Sequence, residues 1–180
     1  VNIALIENSR PVLGTIIVPD RNNLYFAGQD FGAYKLQDGP FNQMLEAQAD
    51  SKEDVRDFLD QIIGQSIKLP VIDPQRAVLT IVGSRSHKTA ELEAYVEEKR
   101  KAFGDVEFIS AGSSLKICLV AEGRADVYPR LGPTMEWDTA AGQAIAEYAG
   151  ASVYQYDTSK PLIYNKEDLH NPWFIVKRET

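Results

Sequence analysis

The chain has 180 residues, of which 44% are hydrophobic and 25% charged, with a formal net charge of −7 and a pI near 4.9. This balance is that of a folded globular protein and excludes a disordered chain, while the acidity argues against a surface for polymeric nucleic acid, which needs clustered Lys and Arg. A small phosphorylated ligand, needing only a local pocket and a cation, is compatible with it. Taken in order, Val1, Ile3 and Leu5 alternate with Asn2 and Ala4, and Pro11–Pro19 follows after a turn at Asn8-Ser9-Arg10. Asn23–Gly28 and Gly32–Leu36 complete what reads as an antiparallel meander over residues 1–36.

Residues 37–75 read as an insertion or connector. Phe41, Met44 and Leu45 suggest a short helical turn, and Ser51 caps an amphipathic helix carrying Val55, Phe58, Leu59, Ile62 and Ile63 and ending before Gly64. Leu69–Pro74 is expected to be extended, because residues preceding proline avoid the helical region.

From 76 to 180 the pattern changes to strand, polar turn, helix. Ala77–Val82 is a continuous apolar strand buried on both faces, followed by a turn through His87 and a helix from Thr89 to Arg100. Val106–Ile109, the small-residue turn Ser110–Ser114 and a helix from Leu115 to Glu122 repeat the cycle, with the lone Cys118 inside an apolar run as a buried structural thiol. A single cysteine excludes an internal disulfide, and no zinc-type group of Cys and His is present. Asp126–Arg130, Ser152–Tyr154, Pro161–Tyr164 and Trp173–Val176 are the remaining expected strands. No apolar run approaches the roughly 20 residues that span a bilayer, and the N-terminus lacks a basic region with a signal core, which gives an expected cytoplasmic location.

The stretch Gly132–Gly142 is a turn entering an Ala-rich helix that closes at Gly150, with Asp138 or Thr139 placed to cap its first turn. An acid there sits beside free backbone N–H groups that favour anions, so Asp138 is a candidate for binding a cation next to a phosphate. Spacing alone favours an ordinary capping Asp with a core Trp, Trp137, beside it. Gly112-Ser113-Ser114-Leu115-Lys116 sets hydroxyls at a helix start with a cation one turn in, a cradle that is a weak signal by itself. The planar fork of Arg130 suits phosphate or a purine face. His87 reads equally as a water-facing residue near a helix start, and His170 as structural or exposed.

Ser110–Gly142 and the tail from Lys160-Pro161-Leu162 to Asn171-Pro172-Trp173-Phe174 resemble the lithium-sensitive, magnesium-dependent phosphatases of the inositol monophosphatase superfamily, in particular its bacterial 3'(2'),5'-bisphosphate nucleotidases. The resemblance implies an α/β fold, a layered αβαβα sandwich of the sugar-phosphatase type. It implies hydrolysis of 3'-phosphoadenosine 5'-phosphate, or its sulfated relative, to AMP and phosphate, in sulfur assimilation or nucleotide recycling. Asp138 is then a catalytic residue and a ligand of Mg2+, close to a substrate hydroxyl, with Ser113, Lys116, Arg130 and His87 also contacting the nucleotide substrate. Such enzymes carry an Asp-Pro-Leu-Asp-Gly-Thr motif before the strand matching Val1–Ile6, and a Glu-Glu pair earlier still. Neither precedes Val1 in the sequence as given, so the chain is expected to be the C-terminal part of such an enzyme and inactive alone. An inositol monophosphatase and a non-catalytic phosphate- or nucleotide-binding module are the alternatives.

Overall fold

The computed structural model describes residues 1–38, 51–84 and 89–178. Strands β1 (Asn2–Glu7), β2 (Arg10–Val18), β3 (Asn23–Gly28) and β4 (Gly32–Gln37) form the expected antiparallel meander, and a short β5 (Ile67–Lys68) adds to its edge against β4. Asn8 and Ser9, both at positive φ, make the two-residue turn from β1 to β2. The expected helical turn at Phe41–Leu45 lies outside the described residues.

Helix α1 (Lys52–Gln65) begins at the predicted cap, where the Ser51 hydroxyl accepts the Asp54 N–H. It does not stop before Gly64. Ser66 terminates it by donating its N–H to Ile63 O and its hydroxyl to Ile62 O, which satisfies carbonyls that Gly64 would otherwise have left free. The chain then runs extended, pinned by Leu69 N–H to Ala33 O and Val71 N–H to Glu122 O.

The second sheet joins β6 (Leu79–Gly83), β7 (Val106–Ser110), β8 (Val127–Arg130), β9 (Ala151–Gln155) and β10 (Phe174–Arg178) in the order β7-β6-β8-β10-β9. Its β6 pairs in parallel with β7 and β8, while β10 runs antiparallel to β8 and β9. Thr80, Ile81 and Val82 are fully enclosed, but Ala77 and Val78 precede the strand and are exposed, so the run expected to be buried on both faces is so only in its second half. The expected strand Pro161–Tyr164 does not form. Only a Tyr154–Pro161 bridge remains, because the segment leaves the sheet to bring Tyr164 N–H onto Ser9 O while Leu162 and Tyr164 turn inward.

Helices α3 (Leu115–Ala121) and α4 (Glu136–Tyr148) lie between the two sheets, and α2 (Ala90–Phe103) covers the far face of the second. With α1 beyond β4, the layers are the αβαβα sandwich anticipated from the sequence. A helix between two sheets is buried all round, which explains the small residues of α4. Ala141, Ile145 and Ala149 pack with Ile16, Tyr25 and Ala27 of the first sheet, whereas Ala140 and Ala146 join Val82, Tyr128, Phe174 and Val176 of the second. Close approach demands glycine twice here: a Cβ at Gly14 would lie 2.4 Å from Ala141 O, and one at Gly142 2.8 Å from Ile117 Cδ1. The Cys118 thiol is fully enclosed, and burial first, then Glu122, pushes its pKa up.

Candidate functional site

At the edge where α3 and α4 begin, a cavity of about 490 Å3 opens between the sheets. Its wall includes Ser113, Lys116, Arg130 and Asp138, four of the five residues singled out in the sequence, together with Asn2, Ser84, Tyr128, Thr134 and Thr139. His87 lies outside the described residues.

Lys116 is the most constrained member. Only 4% of it is exposed, its ammonium donates to Ser113 O at 3.0 Å and Ala111 O at 3.4 Å, and it stands 5.4 Å from the centre of the Tyr128 ring. Two of its three protons are thereby committed, leaving one for a ligand in the cavity. Burial, and then the neighbouring Arg130 charge, bring its pKa down to about 8. A negatively charged ligand relieves both penalties.

Arg130 ends β8, and its Nη2 donates to Pro133 O at 2.8 Å, which folds the guanidinium across the turn leading to α4. Its Nε is buried without a hydrogen-bond partner among the described residues. Tyr128 lies between the two cations, and its hydroxyl is pushed up to about 12 chiefly by burial, with Arg130 acting in the opposite direction. Ser113 is exposed at a positive φ of 44°, and Ser114 accepts from Asn2 Nδ2 at 2.8 Å. Because α3 has only seven residues, its dipole is short, and the positive charge on the cavity wall is that of Lys116 and Arg130.

Asp138 does not cap α4 from outside, as expected from spacing. The helix starts earlier, at Glu136, and Asp138 is its third residue, reaching back so that Oδ2 accepts the Met135 N–H at 3.0 Å. The Thr139 hydroxyl, the other expected cap, is buried and donates to Glu136 O. Trp137 is not a core residue but 59% exposed, since the early start of the helix turns it away from both sheets. His170 is exposed, one of the two placements expected of it, and pairs with Asp168 at 2.7 Å.

Among the described residues no group of three or more His, Cys, Asp or Glu side chains is arranged to hold a metal ion. Asp138 is a hard oxygen donor exposed to the cavity, of the type magnesium accepts, and fits as one ligand of such an ion without making a complete site. The cavity therefore brings two cations and one carboxylate to a single small volume, a composition suited to a phosphate ester.

Asn2, Ser84, Tyr128 and Thr134 were not singled out from the sequence, and Thr139 only as a helix cap. Tyr128 and Thr134 flank Arg130 and had a local signal in their proximity to it. Asn2 had none, since only the packing of the first sheet on α3 brings it there.

A profile of the inositol monophosphatase family matches residues 1–176. The chain belongs to this family. It is 40% identical over 177 residues to the 3'(2'),5'-bisphosphate nucleotidase CysQ of Escherichia coli (strain K12), an alignment covering 98% of this chain and 58% of that protein. The chain thus spans well under two thirds of the length of this family member. The crystal structure of CysQ from Bacteroides thetaiotaomicron superposes with a TM-score of 0.86 at 51% identity, covering 99% of this chain and 62% of that one. Staphylococcal IMPase-II, at 17% identity and a TM-score of 0.65, shares the fold. No described helix is long and apolar enough to cross a membrane.

Proposed function

We propose that this chain forms the phosphate-binding side of a magnesium-dependent 3'(2'),5'-bisphosphate nucleotidase that converts 3'-phosphoadenosine 5'-phosphate, or its sulfated relative, to AMP, or its sulfated counterpart, and inorganic phosphate. The observation that carries the reading is the convergence of Lys116, Arg130 and Asp138 on one cavity. The name of the Escherichia coli relative, a 3'(2'),5'-bisphosphate nucleotidase, supports the substrate class. In the reaction water attacks phosphorus, the bond to the 3'-oxygen breaks, and that oxygen leaves as the ribose hydroxyl.

Lys116 and Arg130 bind and orient phosphate oxygens, Lys116 through its remaining proton and Arg130 through its planar fork. Ser113 adds an exposed hydroxyl at the same wall, and His87 is carried over from the family resemblance as a further substrate contact. Asp138 would hold magnesium with its carboxylate, kept in place by the Met135 N–H. Magnesium, when bound, neutralises phosphate charge and lowers the pKa of an attacking water. A role in sulfur assimilation or nucleotide recycling, in the cytoplasm, follows from this substrate.

The test compares phosphate release from adenosine 3',5'-bisphosphate and from inositol 1-phosphate, with magnesium and with a chelator, in a protein that joins this chain to the upstream acidic motifs the family resemblance implies. The reading predicts magnesium-dependent release that favours the nucleotide. A preference for the inositol ester, release indifferent to the chelator, or no release from either would contradict it.

A further inference from the structure

The segment after Tyr164 returns across the entrance of α4 before entering β10, and it is fastened there at both ends. Glu136 accepts the N–H groups of Asn165 and Lys166 at 2.8 and 3.1 Å and the Lys166 ammonium at 2.5 Å. At the other end stands Asn171, 8% exposed. Its Nδ2 faces three acceptors, Met135 O at 2.8 Å, Thr139 Oγ1 at 2.9 Å and Thr134 Oγ1 at 3.2 Å, and its backbone N–H donates to Thr134 O at 2.9 Å. A Met135–His170 bridge and the Glu136 N–H to Leu169 O bond run alongside. The Asn171 Oδ1 is buried with no partner among the described residues, so the amide is oriented by what its nitrogen donates to.

Met135 is the common point. Its carbonyl accepts from both Asn171 Nδ2 and the Asp138 N–H, and its own N–H donates to Asp138 Oδ2. We propose that Asn171 is a positioning residue that sets the Asp138 carboxylate through Met135, and that the turn from Thr134 to Asp138 keeps its geometry because this buried amide grips it. The inference rests on the function proposed above for its catalytic readout. A residue that only fastened the tail would contact any part of the helix end. Asn171 instead contacts the one residue whose backbone N–H and C=O both bond to Asp138, together with two hydroxyls of the cavity wall.

The test measures phosphate release from adenosine 3',5'-bisphosphate, and its magnesium dependence, in the same extended protein for Asn171→Ala, Asn171→Asp and Asn171→Ser. Asn171→Asp keeps the volume but turns lone pairs on Met135 O, whereas Asn171→Ser keeps one donor. The expected result is a 10- to 100-fold loss, on the order found for partners of metal-binding side chains, in kcat or in apparent magnesium affinity. KM for the nucleotide should stay close to that of the unaltered protein, and Asn171→Ser should lose less than Asn171→Ala. A lowered Tm with kcat and magnesium dependence unchanged, or a loss confined to KM, would overturn the proposal.

Hydrogen exchange at the Met135 amide gives a readout that needs no activity. Asn171→Ala should accelerate it about tenfold or more relative to amides in the middle of α4, the loosening expected when a net hydrogen bond of about 1.4 kcal/mol is lost. If the unaltered protein releases no phosphate, the proposed function fails, and this exchange measurement alone decides the Asn171 claim. Unchanged exchange would then overturn it.

Discussion

Asn2 Nδ2 donates to Ser114 Oγ at 2.8 Å, joining the first strand of the meander to the turn that precedes α3. Through this bond the two sheets share a wall of the cavity, although the residues are 112 positions apart. Ser114 passes the connection on, its hydroxyl lying 3.4 Å from Asp138 O. Asn2→Ala should therefore lower stability by about 1 kcal/mol, the net value of one hydrogen bond. It should also weaken nucleotide binding, as followed by denaturant unfolding and calorimetry. Unfolding that matches the unaltered protein would show that the bond contributes nothing to the seam.

Lys116 predicts a pH dependence. With its pKa at about 8, the side chain is charged below that value and becomes neutral above it, so affinity for an anionic ligand should fall as pH rises past 8. Its effect on stability has the opposite direction. The folded-state pKa lies below the ordinary 10.5, so between these values the unfolded chain binds more protons and stability should rise with pH across the window. Lys116→Met should abolish both slopes, and a calorimetric pH series from 6.5 to 9.5, spanning about a unit and a half on either side of the pKa, checks them.

Arg130→Lys keeps the charge but removes the fork that spans Pro133 O and the cavity. Nucleotide affinity should fall about tenfold, equivalent to about 1.4 kcal/mol, if planar bidentate contact is what Arg130 supplies. Affinity equal to that of the unaltered protein would mean that a point charge is enough.

Gly14→Ala tests how the first sheet meets α4. The added methyl would lie 2.4 Å from Ala141 O and 2.9 Å from Ala144 Cβ, both on a helix already held between two sheets. Overpacking of this kind should cost about 2 kcal/mol, seen as a lower Tm. An unchanged Tm would show that the helix can move outward freely.

The legibility of these features from the sequence divides along physical lines. The meander and the strand-turn-helix cycles were readable because period-2 alternation, apolar runs and caps such as Ser51 and Thr89 are local signals. Gly150 at φ 81° ends α4 where the glycine was expected to. The start of α4, expected at Asp138 or Thr139, was misplaced by two or three residues because an Asp at the third helical position can reach back to the N-cap N–H, and its sequence resembles that of a cap. Pro161–Tyr164 has strand composition, yet its inward Leu162 and Tyr164 serve a crossing segment, which tertiary packing alone decides. At the site, Ser113, Lys116, Arg130 and Asp138 were found through motif resemblance, whereas the grip of Asn171 on Met135 depends on a contact across 36 residues that no local pattern encodes.

The most direct measurement of the central claim is a titration of adenosine 3',5'-bisphosphate into the 15N-labelled chain, with and without magnesium, followed by amide chemical shifts. The account predicts saturable changes at Ser113–Lys116, Arg130 and Met135–Thr139, abolished by Lys116→Met together with Arg130→Lys. Saturable changes confined to other parts of the molecule, or none at millimolar nucleotide, would contradict the claim that Lys116, Arg130 and Asp138 form one phosphate site.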